Sequence, residues 1–420
     1  VSDDAKIDDA PLRRNRNFRL LWVGQLLSDT GSSAAFLAYP LLILALTHSA
    51  VIAGVVGSAG AVTQIVLRLP AGALTDRWDR RRTLIICESA RTVVLAALAV
   101  LVVTHHIVWP VVLIVAIIDD AGSVIFSPAS TAALPVIVPS AQLEAAWAST
   151  EARTYAASLA GPALGGTLFS VARALPFIGD AVSYGVSVGT VSLIRGDFQS
   201  SSDAERKPLR HEVAEGLRYV WRSALLRAVA IQAPLINFAF TGAFFTLTLA
   251  LRRHGTSPAV IGGLQAAIAA GGLVGALVAT RASTRFTLSS LVIGITAFGT
   301  GAFAIAALII PSPLVALPLA LTVVAAPTAN ASLFATMLRA TPSELVGRVS
   351  STVLMAAQGL AAFAPLTAGL LVAHVSPHWA MGVFGVSLAA AAVLAIVLPG
   401  IRHAESEVAS DVDPQGAATA

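Results

Sequence analysis

Twelve predominantly apolar stretches follow one another along the chain with almost nothing between them. They lie near 19–46, 50–74, 83–104, 107–132, 145–171 and 174–195, then 228–251, 258–280, 287–310, 313–338, 347–373 and 378–400. A helix that crosses a bilayer needs about 20 such residues. Inside a bilayer every backbone polar group must be satisfied internally, and the stretches show no ten-residue alternation of apolar and polar positions, so helices are expected rather than a barrel. Charged residues make up 12% of the chain and its mean hydropathy is +0.79, whereas soluble domains carry roughly 25% charged residues. The expectation is an all-α membrane protein of twelve transmembrane helices in two six-helix halves.

On this reading the chain divides into a polar segment 1–18, a first half 19–195, a linker 196–227, a second half 228–400 and a polar tail 401–420. Residues 1–18 are too polar for a cleaved signal peptide, so the first apolar stretch is expected to stay as a helix. The halves echo one another at an offset of 203 residues. Gly72–Leu74 recurs at Gly275–Leu277, Pro139-Ser140 at Pro342-Ser343 and Pro162 at Pro365, while AVIAG at 50–54 against AVIGG at 259–263 needs 209. A weak internal repeat of this kind suits a duplicated six-helix unit.

The charges then orient the chain. Of the 27 Lys and Arg residues, only Arg173, Arg252 and Arg253 fall in loops on one side, and only Arg68, Arg91 and Arg153 lie well inside spans rather than at their ends. The others gather at the two chain ends and around loops 75–83, 196–227, 281–286 and 339–348. The positive-inside rule therefore puts both termini in the cytoplasm. The basic pI reflects this topology, and no basic stripe is interleaved with stacking aromatics, so membrane lipids are expected as partners and nucleic acid is not. Nearly all the basic residues are Arg, only Lys6 and Lys207 being Lys; this bias fits a GC-rich bacterial genome, and with the apolar helices a bacterial inner-membrane location is expected.

Chemistry of other kinds finds little to stand on. Cys87 is the single cysteine, and the adjacent His105 and His106 have no third ligand nearby, so neither a disulfide nor a metal site is expected. No Gly-rich phosphate loop is present, which disfavours ATP-driven work, and no enzyme activity or cofactor is expected. In the linker, Val213, Leu217, Val220, Trp221 and Leu225 fall on one helical face with Arg218 and Arg222 on another. This pattern predicts an amphipathic helix at the cytoplasmic interface.

Charges within spans cost about 2.5 to 3.5 kcal/mol each on insertion scales, which makes them functional candidates by default. They are Asp29, Arg68, Glu88, Arg91, Asp119, Asp120, Glu151, Arg153 and Asp180, all in the first half. Counting along the helices at about 1.5 Å per residue, Arg68, Glu88, Arg91, Glu151 and Arg153 lie toward the cytoplasmic ends, where they can neutralise one another. Glu88 and Arg91, three apart, are expected to pair. Asp29, Asp119 and Asp120 fall near mid-membrane with no basic residue at the same depth. A desolvated carboxylate without a cation suits a group that takes up and releases a proton, so these three are the proton-coupling candidates. Asp119 and Asp120 point about 100° apart, so one of the two is expected to face the cavity. A local role for Asp29, bonding to Ser28 or Thr30, stays open beside this one.

Two motifs carry a resemblance. GALTDRWDRRRTL, Gly72 to Leu84, opens with a small residue and an acid at a helix end, and GPALGG, Gly161 to Gly166, joins a proline kink to a close-packing Gly161/Gly165 pair. The first resembles the signature loop of the major facilitator superfamily, with Asp79 where the family usually has Gly. The second resembles the antiporter motif of that superfamily's exporters, with Ala157 where the longer pattern has Gly. NRNFRLLWVGQLLSDTGS, GDAVSYGVSVGTVSLIR and EVAEGLRYVW extend the likeness over nearly the whole chain, toward the transmembrane secretion effector branch, with its macrolide-exporter and enterobactin-exporter-like members.

The resemblance implies the major facilitator fold, a gating loop built on Gly72, Leu74, Asp76, Arg77, Arg80 and Arg81, and an antiporter motif at Gly161, Pro162, Gly165 and Gly166. It also implies a substrate pocket lined by helices 1, 4, 7 and 10, with Phe36, Tyr39, Asn237, Phe244 and Asn330 as candidates. The function it implies is export of a small amphipathic molecule, whether drug, antibiotic or siderophore-like, by a monomer in exchange for protons. Movement of a lysolipid or lipid-like product is the alternative that the apolar second half allows. A non-transporting sensor or scaffold is a third, for which the tail 401–420 offers little.

Overall fold

In the computed structural model, which describes residues 11–75, 78–194, 209–283, 287–339, 341–342, 345–398 and 400, the described residues are helical almost throughout and include no strand. In chain order the helices are α1 (Arg16–Thr47), α2 (Ala50–Thr75), α3 (Arg80–Val103), α4 (Trp109–Ile137), α5 (Leu143–Val171) and α6 (Leu175–Leu193). They continue as α7 (Leu209–Arg222), α8 (Ala224–Arg253), α9 (Pro258–Ser283), α10 (Leu288–Ile309), α11 (Ala316–Arg339), α12 (Val346–Gly359), α13 (Ala364–His374) and α14 (Pro377–Val397). Ten spans are long and apolar enough to cross a membrane among the described residues, α12 and α13 together counting as one of them. The helices α5 and α6 fall where the two remaining spans are expected from the sequence. Glu151 and Arg153 interrupt the first and Asp180 with repeated Ser and Gly the second.

Local chemistry sets the helix ends. Asn15 caps α1 by accepting from Phe18 N at 2.9 Å, and its amide donates to Ile137 O at 2.9 Å, tying the start of α1 to the end of α4. Asp79 caps α3 by accepting from Arg82 N at 2.7 Å, and Ser223 caps α8 by accepting from Leu226 N at 3.3 Å. Ser223 therefore ends α7, so Leu225, expected on the amphipathic face, instead lies buried in α8. The span made of α12 and α13 is interrupted by a short 3₁₀ turn at Ala361–Phe363, just ahead of Pro365 in the first turn of α13.

The chain forms two compact units, one from the described residues of Val1–Ala204 and Gly255–Ala266, the other from those of Glu205–His254 and Ala267–Ala420. In the first, α1 packs along α5 and α6, α2 along α4, and α3 along α4 and α6. In the second, α8 packs along α14 and the α12–α13 span, and α10 along α11 and α14. Gly271 and Gly275 of α9 bring its backbone onto Ala320 and Val324 of α11. Both units thus pair their helices in one pattern, the structural counterpart of the 203-residue echo.

Their interiors differ in kind. In the first unit the buried residues include Glu88, Arg91, Asp119, Arg153 and Asp180, whereas the buried polar residues described in the second are neutral, such as Gln232, Thr246 and Thr322.

Candidate functional site

Arg91 of α3 is the centre of the first unit's polar interior. Its Nε donates to Asp119 Oδ1 of α4 at 2.8 Å and its Nη1 to Glu88 Oε1 one turn back at 3.3 Å. Its Nη2 donates to the Tyr184 hydroxyl of α6 and, at 3.5 Å, to Ser32 Oγ of α1, while its guanidinium carbon lies 3.9 Å from the centre of the Tyr184 ring. The Tyr184 hydroxyl is also 2.7 Å from Ser32 Oγ and 3.2 Å from Asp119 Oδ1, and Tyr39 donates to Asp119 Oδ2 at 3.3 Å. One cation thus joins four helices. Burying charge is tolerable only with such pairing and hydrogen bonding, and the fixed fork of Arg suits it.

Glycines make the space. A Cβ on Gly122 would sit 2.8 Å from Arg91 Cγ and Cδ, one on Gly31 would sit 2.6 Å from Asp180 Oδ1, and one on Gly60 would sit 3.3 Å from Asp120 Cγ. Each charged side chain therefore crosses a neighbouring helix where that helix has no side chain.

Beside this network lies a cavity of about 450 Å³ walled by α1, α3, α4 and α5, with Asp29, Arg91, Arg153 and a set of Ser and Thr hydroxyls on its surface. Asp29 Oδ2 of α1 and Arg153 Nε of α5 lie 3.1 Å apart, the acid partly exposed and the arginine buried. Arg153 Nη1 also donates to Gln25, whose amide in turn donates to Ser130 of α4. The cavity wall thus holds an ion pair whose acid is accessible from within it.

These contacts correct the expectation that the mid-membrane acids lack a cation. Asp29 has Arg153 and Asp119 has Arg91, because a long Arg side chain bridges levels that a residue count along separate helices treats as distinct. Of the three, only Asp120 has no basic partner among the described residues; it accepts from Gln64 Nε2 of α2 at 2.5 Å. Neither Asp119 nor Asp120 lines the cavity, contrary to the expectation for one of them: the first turns into the Arg91 network and the second toward α2. The Glu88–Arg91 pair forms as expected. The wider cluster does not close, since Arg68 and Glu151 are exposed and neither forms an ion pair among the described residues.

The loop motif is described in part, Asp76 and Arg77 lying outside the described residues. Arg80 donates to Ala132 O of α4 at 3.3 Å, and Arg81 to Ser192 O, a last-turn carbonyl of α6. The Ser192 carbonyl is one of those a helix end leaves unpaired, and a cation there also complements the helix dipole. Gly72 and Leu74 sit on the last turns of α2, and a Cβ on Gly72 would meet no described residue within 4 Å. In GPALGG, by contrast, every glycine is a contact point. A Cβ on Gly161 would lie 3.0 Å from Ser33 C, one on Gly165 2.8 Å from Ala34 Cα, and one on Gly166 3.0 Å from Pro258 C at the start of α9. Pro162, on the same helix, faces Gly262, and Ser170 Oγ accepts from Ala259 N at 2.9 Å, satisfying a first-turn donor of α9. These contacts draw residues 255–266 into the first unit.

The second unit has an apolar pocket of about 120 Å³ between α8, α10, α11 and α14, with Asn237 and Asn330 on its wall and no titratable group. Asn237 Nδ2 donates to Ala233 O at 2.9 Å. Phe244 is half-buried outside that pocket, Phe36 is 73% exposed, and Tyr39 packs edge-on against Phe177 at 5.3 Å while bonding Asp119. Reading the sequence missed Tyr184, Gln25, Ser32 and the three charge-facing glycines. Only Tyr184 left a signal, as a polar ring amid the small residues of GDAVSYGVSVG.

Comparison with known proteins adds the family. The transmembrane secretion effector profile matches residues 8–417. The multidrug efflux pump Tap of Mycobacterium tuberculosis (strain CDC 1551 / Oshkosh) is 26% identical over 418 residues, covering 95% of this chain and 97% of that protein. Macrolide efflux protein A of Streptococcus pyogenes is 27% identical over 270 residues, or 62% of this chain and 65% of that one. Among solved structures, a bacterial homologue of the iron transporter ferroportin in an inward-facing state superposes with a TM-score of 0.72 at 14% identity, covering 91% of this chain and 98% of that one. A bacterial homologue of the human lysosomal transporter Spinster gives 0.69 at 15%, covering 94% and 98%. At such identities the structures establish the fold alone, which is a transporter's. With the profile running almost from end to end, this multi-pass membrane protein belongs to the transmembrane secretion effector family of the major facilitator superfamily.

Proposed function

We propose that this protein exports a small amphipathic molecule, a drug, antibiotic or siderophore-like compound, across the bacterial inner membrane in exchange for protons. It does so as a monomer by alternating access, with both termini in the cytoplasm. The efflux pumps among its relatives support export, and the confinement of its basic residues to one set of loops supports the orientation.

The observation that carries the coupling is the Asp29–Arg153 pair at 3.1 Å on the wall of the polar cavity. A proton arriving in the cavity reaches Asp29, and its uptake cancels the charge that holds Arg153. Among the described residues the freed guanidinium keeps its Gln25 hydrogen bond but loses its Asp29 partner, so the α1–α5 connection loosens when the proton is on and tightens when it is off. Asp119, by contrast, is locked to Arg91 and serves to hold that cation. Asp120, whose only described partner is Gln64, is the second proton candidate.

The test is substrate-dependent proton release from proteoliposomes with an imposed pH gradient, read with a pH-sensitive dye and a panel of candidate drugs. Asp29→Asn is expected to abolish gradient-driven efflux while leaving substrate binding in place. Full proton-driven efflux by Asp29→Asn and by both Asp119→Asn and Asp120→Asn would remove the proposal. Transfer of a fluorescent lysolipid without any proton gradient would favour a lipid-like cargo.

A further inference from the structure

The helix α7 shows three stripes along its length. Gly216 and Val220 are buried against α12, where a Cβ on Gly216 would sit 2.9 Å from Arg348 O and Val220 joins Leu226, Met337 and Val349 in one cluster. Glu215 accepts from Arg348 Nη1 at 2.6 Å, clasping α7 to the first turn of α12. At about 100° per residue, Leu217 and Trp221 form the next stripe; they are 47% and 51% exposed. Arg218 and Arg222 form the third, both exposed and neither in an ion pair among the described residues. An exposed Leu–Trp pair edged by two unmatched arginines is a surface that water does not favour.

Its place in the chain says what covers it. Trp221 stands three residues before Ala224, where the spanning helix α8 begins, and Arg227 of that first turn donates to Trp221 O at 3.2 Å. The end of α7 is thereby held at the first turn of α8, the end of a helix long and apolar enough to cross a bilayer, where interface level is expected. Trp concentrates at that level, and basic residues there attract anionic lipid. An apolar stripe beside a basic stripe is the pattern of a helix lying in the interface, apolar side toward the acyl chains.

We propose that this face of α7 is a binding site for anionic phospholipid headgroups. Arg218 and Arg222 take the phosphate charge, and Leu217 and Trp221 enter the acyl boundary. Because Glu215 and Gly216 hold Arg348, a lipid that fixes α7 also fixes the first turn of α12, so bilayer charge bears directly on a spanning helix of the second unit.

The test uses the full chain in phosphatidylcholine vesicles containing a small fraction of either brominated phosphatidylglycerol or brominated phosphatidylcholine, with tryptophan fluorescence as readout. The expected result is several-fold stronger quenching by the anionic lipid, lost in Trp221→Phe, which assigns it to Trp221 rather than to the other tryptophans. It is also expected to fall to the neutral-lipid level in the Arg218→Gln/Arg222→Gln double variant. Equal quenching by the two lipids, quenching by neither, a preference that survives Trp221→Phe, or one that survives the double Arg variant would each overturn the proposal. All three substituted positions are exposed, so the variants are expected to fold, and a thermal melt in detergent checks this independently of transport.

Discussion

Arg91 Nε and Asp119 Oδ1 meet at 2.8 Å across 28 residues of sequence, and both residues are buried. Truncating the arginine strands Glu88 and Asp119 without their cation, a kind of loss that costs about 3–5 kcal/mol. Arg91→Met is expected to lower the melting midpoint in detergent sharply. Arg91→Lys should recover only part of it, since an ammonium cannot address Asp119, Tyr184 and Ser32 together. A melt of Arg91→Met matching the parent would contradict the central role given to this residue.

The two adjacent acids should respond differently. Asp119→Asn weakens the grip on Arg91, whereas Asp120→Asn keeps an oxygen for the Gln64 amide to reach. Thermal melts are expected to show Asp119→Asn clearly destabilised and Asp120→Asn close to the parent, and the reverse order would show that the two side chains are exchanged.

Tyr184→Phe removes a hydroxyl shared by Arg91, Ser32 and Asp119 while keeping the ring beneath the guanidinium. Hydrogen bonds to charged groups are worth about 1.5–3 kcal/mol, and a loss in that range is expected by chemical denaturation. Tyr184→Leu, which also removes the ring, should lose more.

Glycine substitutions separate contact from open space. Gly165→Ala places a methyl 2.8 Å from Ala34 Cα and Gly122→Ala places one 2.8 Å from Arg91 Cδ, so both are expected to destabilise by about 1–3 kcal/mol, the usual penalty of overpacking. Gly189→Ala meets no described residue within 4 Å and should be neutral or stabilising by about 0.5–1 kcal/mol, as for a helix-interior glycine. Equal melting midpoints for all three would refute the close approaches.

Gly72→Ala belongs with the second group, since no described residue comes within 4 Å of the place its methyl would take, despite its position in the loop motif. It is expected to melt no lower than the parent. A lower midpoint would contradict those surroundings.

Much of this was legible in the sequence, for reasons specific to each element. Apolar length marked the spans, and the i,i+3 spacing foretold Glu88–Arg91. The glycines of GPALGG promised a close approach, which Gly161, Gly165 and Gly166 make. Less legible were the pairings between helices. Arg153 meets Asp29, and Arg91 meets Asp119, through side-chain reach and helix packing, neither of which a one-dimensional depth count contains. The end of α7 was misjudged because an apolar face ran on through Leu225, while the capping hydroxyl of Ser223 stopped the helix first.

The uneven distribution of buried charge has an electrical meaning. A membrane voltage exerts force only where charge stands within the field. Among the described residues every buried ionisable side chain belongs to the first unit, so the resting potential pulls on that unit and finds almost nothing to grip in the other. Gating charge, measured as current when the empty transporter is stepped between voltages, should therefore change in size with substitutions at Asp29, Arg91 or Arg153 and ignore those at Gln232 or Asn330.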